Sequence, residues 1–133
     1  FLFVAWMLAA PAAEAGTGEM AWREDFAAAI AEARASERPY LVDFGADWCG
    51  ACGELDRNTF SDRRVIEESA RFVVVHIDMS ASSITPERRE LLRSYHQSGL
   101  PLVVMHDATG AEAHRVVEFI EPGEMVALMQ SVH

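Results

Sequence analysis

Cys49 and Cys52 are the only cysteines of this 133-residue chain, and they stand three apart as Cys-Gly-Ala-Cys behind Trp48. A pair so close cannot staple a fold, because closing a four-residue loop stabilises little compared with closing a long one. The spacing suits reversible chemistry instead: two thiols one helical turn apart can form and break a disulfide. A short apolar run, Tyr40 to Phe44, precedes the pair, and a helix-compatible segment starts at the cysteines themselves. The first turn of a helix presents free N–H groups and the positive end of the dipole, which favour a thiolate at its first residue. Cys49 is thus the candidate nucleophile. Cys52, one turn on, is the candidate resolving thiol that attacks the mixed disulfide and frees the reduced partner. An inert or metal-holding pair is the bland alternative.

Composition narrows the field. The formal charge is −10, from 21 acids against 11 basic residues, all of them arginine. Such a surface repels phosphate backbones and argues against nucleic-acid binding. Half the residues are apolar, as in an ordinary globular domain, and the length suffices for one core without staples. Haem attachment of the c type would need a histidine directly after Cys52, where Gly53 stands. No second Cys-x-x-Cys or spaced histidine pair exists to complete a structural zinc site. His76, His96, His106, His114 and His133 are scattered and read as surface or core filler. No cofactor or metal is expected beyond the cysteine pair.

The elements around the pair follow from periodicity. Trp22, Phe26, Ile30 and Ala33 recur at helical spacing, and Pro39 ends that helix. Tyr40 to Phe44 reads as a buried strand, and Cys49 to about Asn58 as the helix carrying the cysteines. Ser61 or Asp62 can cap a further turn or two through Arg71. Phe72 to Ile77 is a second buried strand. Thr85-Pro86-Glu87 opens a helix whose inner face is Leu91, Leu92 and Tyr95 and whose end suits Gly99. Leu100 to Met105 is a strand opened by proline; Asp107 to Gly110 reads as a hairpin turn into a strand from His114 to Phe119. A last helix begins near Pro122. Together these predict an α/β domain, a mixed central sheet of about four to five strands with helices on both faces.

The run Asp43-Phe44-Gly45-Ala46-Asp47-Trp48-Cys49-Gly50-Ala51-Cys52 resembles the active-site signature of thioredoxin-fold proteins. The continuation Glu54-Leu55-Asp56, then Asn58-Thr59-Phe60-Ser61-Asp62 and Val65, is similar to one branch: the C-terminal periplasmic domain of DsbD-type thiol:disulfide interchange proteins. The likeness runs from about Met20 to the end. It implies a thioredoxin-like fold over residues 19–133. It also implies a protein-disulfide reductase that relays electrons from a membrane donor, domain or protein, to disulfides of exported proteins.

The resemblance also implies roles for single residues. Asp43, an acid inside an apolar run, would take the proton of Cys52 during resolution, directly or through water; a strand-end acid reaching solvent is the alternative. Asp56 matches a glutamate of the DsbD-like branch that tunes the cysteine, and a solvated helix acid is the competing reading. Pro101, in Ser98-Gly99-Leu100-Pro101, matches the cis proline that faces the Cys-x-x-Cys, leaving the Leu100 backbone free to pair with a substrate strand; a trans proline opening an edge strand is the alternative. Trp48, Gly50, Ala51, Leu100 and Pro101 would form the docking surface.

Phe1 to Ala13 is strongly apolar but too short to span a bilayer alone. It reads either as part of a signal peptide, with Ala13-Glu14-Ala15 as a small-x-small cleavage site, or as the end of a transmembrane helix. Residues 1–18 are expected to be poorly anchored, and the domain to lie outside the cytoplasm, periplasmic and in the second case tethered to the inner membrane. A monomer is expected. Two further functions compete with the relay: a free-standing thioredoxin-like reductase for cytochrome c maturation or disulfide repair, and a non-catalytic thioredoxin-fold binding module.

One departure carries a prediction. Thioredoxin-like proteins often place a basic residue after the second cysteine; here Gly53 follows, and Asp47, Glu54 and Asp56 surround the pair. Negative neighbours disfavour a thiolate, so Cys49 should be a moderate nucleophile suited to a reductant. Alkylation rate against pH should show a midpoint well above the value of about 4 seen in strong oxidants; a midpoint near 4 would contradict this.

Overall fold

The computed structural model describes residues 18–133, so the expectations for the apolar start lie outside the described residues. Four strands form one sheet in the order β2-β1-β3-β4. They are β1 (Tyr40–Gly45), β2 (Val73–Asp78), β3 (Leu102–His106) and β4 (Glu112–Val116). β1 runs parallel to β2 and antiparallel to β3, and β3 is antiparallel to β4. Five helices cover the sheet: α1 (Phe26–Ala35), α2 (Gly50–Glu54), α3 (Arg63–Ser69), α4 (Pro86–Ser94) and α5 (Pro122–Gln130). No helix among the described residues is long and apolar enough to cross a membrane.

The expected mixed sheet with helices on both faces is what forms. β1 and β3 are central and buried at every position, which is why they read as unbroken apolar runs instead of alternating ones. Period-two alternation sorts their side chains into two cores. Tyr40, Val42 and Phe44 of β1 meet Ala29 and Ala33 of α1 and Leu92 of α4. On the other face, Leu41 joins Val74, Val103, Leu55, Val65 of α3 and Met125 and Met129 of α5. Asp43 and Gly45, two and four residues beyond Leu41, share that second face. It is the face that α2 covers.

Several boundaries differ from the periodicity, each for a local reason. Trp22 is not helical: Asp25 caps α1, its carboxylate accepting from the Ala28 N–H at 3.1 Å. The chain before it lies along the outer edge of β2, with Arg23 N–H donating to Val74 O at 2.9 Å and His76 N–H to Arg23 O at 2.8 Å. An edge strand's unpaired groups thereby gain partners. Trp22 packs edge-on against Phe60, with ring centroids 5.1 Å apart. Asp62 caps α3, which ends at Ser69 and not at Arg71. The left-handed residue after α4 is His96 (φ 56°), not Gly99; histidine is among the side chains that tolerate this region.

β4 starts at Glu112, two residues before the expected His114, and stops at Val116. Asp107 explains the early start. Its carboxylate accepts from the N–H groups of Thr109 and Ala111 at 2.9 and 3.1 Å, and Gly110 takes φ +92°. That closes the turn tightly, and a bulge between Met105 and His106 absorbs the mismatch.

His106 is fixed in one tautomer by its partners. Gly110 O can only accept, so Nδ1 carries the proton (2.9 Å) and Nε2 accepts from the Tyr95 hydroxyl at 2.8 Å. The ring stacks on Tyr40 at 4.3 Å, and burial lowers its proton affinity. Tyr95→Phe should leave Nε2 buried without a donor and cost about 1–2 kcal/mol. In urea unfolding the midpoint should fall with the slope unchanged; an unaltered midpoint would mean the bond contributes nothing.

Candidate active site

The site forms where β1 ends beneath the start of α2. Cys49 is the N-cap of α2 and has an extended backbone (φ −91°, ψ 108°); its sulfur accepts from the Cys52 N–H at 3.2 Å. Its own N–H donates to Ala46 O at 3.1 Å, and Gly53 N–H returns to Cys49 O at 3.2 Å. This geometry puts Sγ where a serine or aspartate oxygen would cap, among the unpaired N–H groups of the first turn. Cys49 and Cys52 are joined in a disulfide, with Cα atoms 5.2 Å apart. Gly50 and Ala51 form the turn between them, Gly50 exposed and Ala51 half-buried.

Gly45 lies between the imidazole and the disulfide: a Cβ there would sit in ordinary contact with His76 Cε1 at 3.4 Å and Cys52 Sγ at 3.8 Å. The loop after β1 is stitched to the one after β2: Asp47 N–H donates to Ser80 Oγ at 2.9 Å, and Met79 N–H to Gly45 O at 2.8 Å.

α2 does not run on as a regular helix to Asn58. Leu55–Thr59 forms a π-helical turn, closed by Phe60 N–H on Leu55 O at 2.8 Å. Thr59 anchors it from inside, its hydroxyl donating to Ile120 O at 2.6 Å. Such turns recur at functional sites because the wider turn redirects a side chain; this one carries Asp56.

Asp43 is buried, 4% exposed, and it is not alone. In the parallel register Asp43 lies beside His76, and His76 Nδ1 stands 2.9 Å from Asp43 Oδ2. This pairing meets the burial cost that an isolated acid would carry. His76, expected to be filler, is therefore the site residue that the sequence reading missed. A signal existed: it interrupts the apolar run of β2 at the strand position facing the acid of β1.

A cavity of about 270 Å³ lies under the disulfide, bordered by Asp43, Cys49, Cys52, Asp56 and His76, with Asp47 and Asp78 at its margin. Hydrogen bonding to Asp43 raises the proton affinity of His76 against the opposing effect of burial. Asp56 is exposed, yet partial desolvation of its carboxyl raises its proton affinity, with the Asp43 charge adding to it and His76 and Arg57 opposing. Among the described residues no group of three or more ligating side chains could hold a metal ion.

The remaining expected residues lie to one side. Trp48 is 66% exposed and thus not a core residue. It shares a groove of about 300 Å³ with Leu100, Met79, Ile84, Arg89 and Arg93. The Leu100–Pro101 peptide bond is cis, and Pro101 is buried.

Residues 21–108 match the family model described as thioredoxin-like. The chain belongs to the thioredoxin-like family. Among curated thioredoxin-like relatives, the thiol:disulfide interchange protein DsbD of Yersinia enterocolitica is 31% identical over 134 residues, covering 96% of this chain and 22% of that protein. DsbD of Ralstonia nicotianae is 39% identical over 92 residues, covering 68% of this chain and 15% of that protein. The chain thus spans about a fifth or less of the length of these relatives. Among solved structures, the oxidised C-terminal domain of Neisseria meningitidis DsbD superposes with a TM-score of 0.69 at 27% identity, covering 85% of this chain and all of that one. A thioredoxin from Thermus thermophilus gives a TM-score of 0.64 at 29% identity, covering 84% of this chain and 87% of that one.

The Asp43–His76 pair yields a pH signature. Because the folded state raises the proton affinity of His76, its contribution to stability is complete below the unfolded value of about 6.5 and is lost as pH rises through the folded value. Wild type should therefore exceed His76→Gln in stability by about 1 kcal/mol at pH 6, and the gap should shrink towards pH 9. Denaturant unfolding of both proteins across that range checks this; a gap that widens with pH would contradict it.

Proposed function

We propose that the chain is a thiol:disulfide interchange domain that reduces, or relays electrons to, disulfides of exported proteins. The observation that carries this reading is the Cys49–Cys52 disulfide at the head of α2. The similarity to DsbD adds support for the compartment and the partners: a periplasmic position, a membrane electron donor, and disulfide-bearing proteins outside the cytoplasm.

The chemistry follows from the geometry. In the dithiol form the Cys49 thiolate attacks a partner disulfide: one S–S bond forms between Cys49 and the partner, and the second partner sulfur leaves with the electron pair. Cys52 gives up its proton towards Asp43 and attacks Cys49 Sγ. The Cys49–Cys52 bond forms, the mixed bond breaks, and the partner leaves with two reduced sulfurs. The domain has lost two electrons, which a second dithiol restores by the reverse exchange. The exposed indole of Trp48 and the Leu100 backbone next to cis Pro101 offer the surface against which the partner segment lies. The net direction is set by reduction potentials, and about 30 mV changes the equilibrium tenfold.

Two variants test the reading. Cys49→Ser should reduce turnover in a disulfide-reduction assay to background. Cys52→Ser should keep the first attack but trap mixed disulfides with envelope proteins, visible as reductant-sensitive adducts. A wild-type domain without turnover, or a Cys52→Ser protein that captures nothing, would favour a non-catalytic binding module.

A further inference from the structure

The resolving step needs a destination for the Cys52 proton, and Asp43 alone is a poor one because it is enclosed. Its side chain is 6% exposed, whereas that of His76 is 32% exposed. His76 holds Asp43 Oδ2 through Nδ1, and both residues line the cavity that Cys52 borders. His76 also lines a second cavity of about 480 Å³, bounded by Gly18 to Met20, Trp22, Phe60 and Ser61. The two cavities share only Asp56 and His76 as lining residues. The groove beside Trp48 shares no residue with the second cavity. A partner lying over Trp48 and the disulfide would thus leave the second cavity uncovered.

We propose that His76 is a positioning residue that releases a proton to solvent through this second cavity when Asp43 takes up the proton of Cys52, so that Cys52 can resolve a mixed disulfide while the partner still covers the cysteine face. The inference rests on the interchange reading above. In proton terms, Cys52 gives its proton to Asp43 Oδ1. The carboxylate charge that held the imidazolium is thereby neutralised, and His76 releases its Nε2 proton to water. Electrons move only between sulfurs, and solvent returns one proton to the leaving partner thiolate. The charged groups facing His76 are Asp43 from β1, Asp56 from the π-helical turn and Asp78 from its own strand. Glu19 lines the outer cavity, and from the segment before α1 the indole of Trp22 lies against the ring at 5.9 Å. All the charges are acidic, so each favours the protonated imidazole, and the neutralisation of Asp43 is the change that lets it discharge.

A two-phase reaction separates this inference from the functional reading. The dithiol form of the full chain is mixed with a symmetrical aromatic disulfide whose thiolate absorbs visible light. The first thiolate released reports attack by Cys49, and the second reports resolution by Cys52. If wild type shows no first phase, the interchange reading fails, and this inference with it. With the first phase intact, the second should rise with pH through an inflection in the neutral range. In His76→Gln the first phase should stay within about twofold, while the second slows roughly tenfold or more at pH 7 and loses the inflection. His76→Lys, which keeps a cation but does not exchange its proton near neutrality, should be equally slow. A His76→Gln profile that superimposes on wild type, or a His76→Lys protein as fast as wild type, would overturn the proposal. NMR titration of His76 covers the case in which these variants fold poorly: Asp43→Asn should lower the imidazole midpoint, and an unchanged midpoint would overturn the coupling.

Discussion

Asp43 and His76 lie side by side in adjacent parallel strands, and their hydrogen bond is the constraint on which the cysteine face of the sheet depends. A carboxyl group enclosed between β1 and α2 is tolerable only with a partner, and the register of β1 on β2 supplies one. Other features of that face accommodate the pair. Gly45 lies between the imidazole and Cys52. The π-helical turn brings Asp56 to the same cavity. The segment before α1 seals the outer edge of β2 and sets Trp22 against the ring. Among the described residues no buried side-chain nitrogen or oxygen lacks a hydrogen-bond partner, so the polar inlay does not leave strained gaps in the core.

The electrostatics of the site suit the reducing role proposed for it. The start of α2 favours a thiolate at Cys49 through its free N–H groups, yet the cavity beneath is bordered by four aspartates, with His76 as its one basic side chain. Helix dipole and carboxylates act in opposite directions on the same sulfur. A thiolate held only moderately stable makes the dithiol form less favoured than in a strong oxidant, and a dithiol of that kind passes its electrons on more readily. Arg89 and Arg93 line the groove of the exposed Trp48, Arg93 being paired with Glu90 at 3.1 Å.

Much of this was legible in the sequence, for identifiable reasons. The central strands β1 and β3 appeared as apolar runs because both of their faces are buried. The start of α4 was marked by Thr85-Pro86-Glu87, and Thr85 does cap it, accepting from the Arg88 N–H at 3.2 Å. The dithiol was evident from Trp48-Cys49-Gly50-Ala51-Cys52 alone. What periodicity could not give were contacts set by the other strands. Trp22 fits a helical stripe by spacing but serves the edge of β2. His76 looked like one scattered histidine among five until strand register placed it beside Asp43. The π-helical turn leaves no mark in the periodicity, and the bond that ties it down, from Thr59 to Ile120, is tertiary. Local signals located the elements; side-chain partnership across the sheet decided what they do.

The central claim is that Cys49 and Cys52 form one reversible two-electron couple, and equilibration of the domain in glutathione buffers of graded ratio tests it most directly. After acid quenching and alkylation, mass spectrometry should find two populations, both cysteines blocked or neither. Their ratio should follow a two-electron Nernst curve, with a midpoint more reducing than that of strong oxidants, whose potentials lie near −120 mV. Two free thiols in every buffer, or a transition that passes mainly through singly modified protein, would contradict the account.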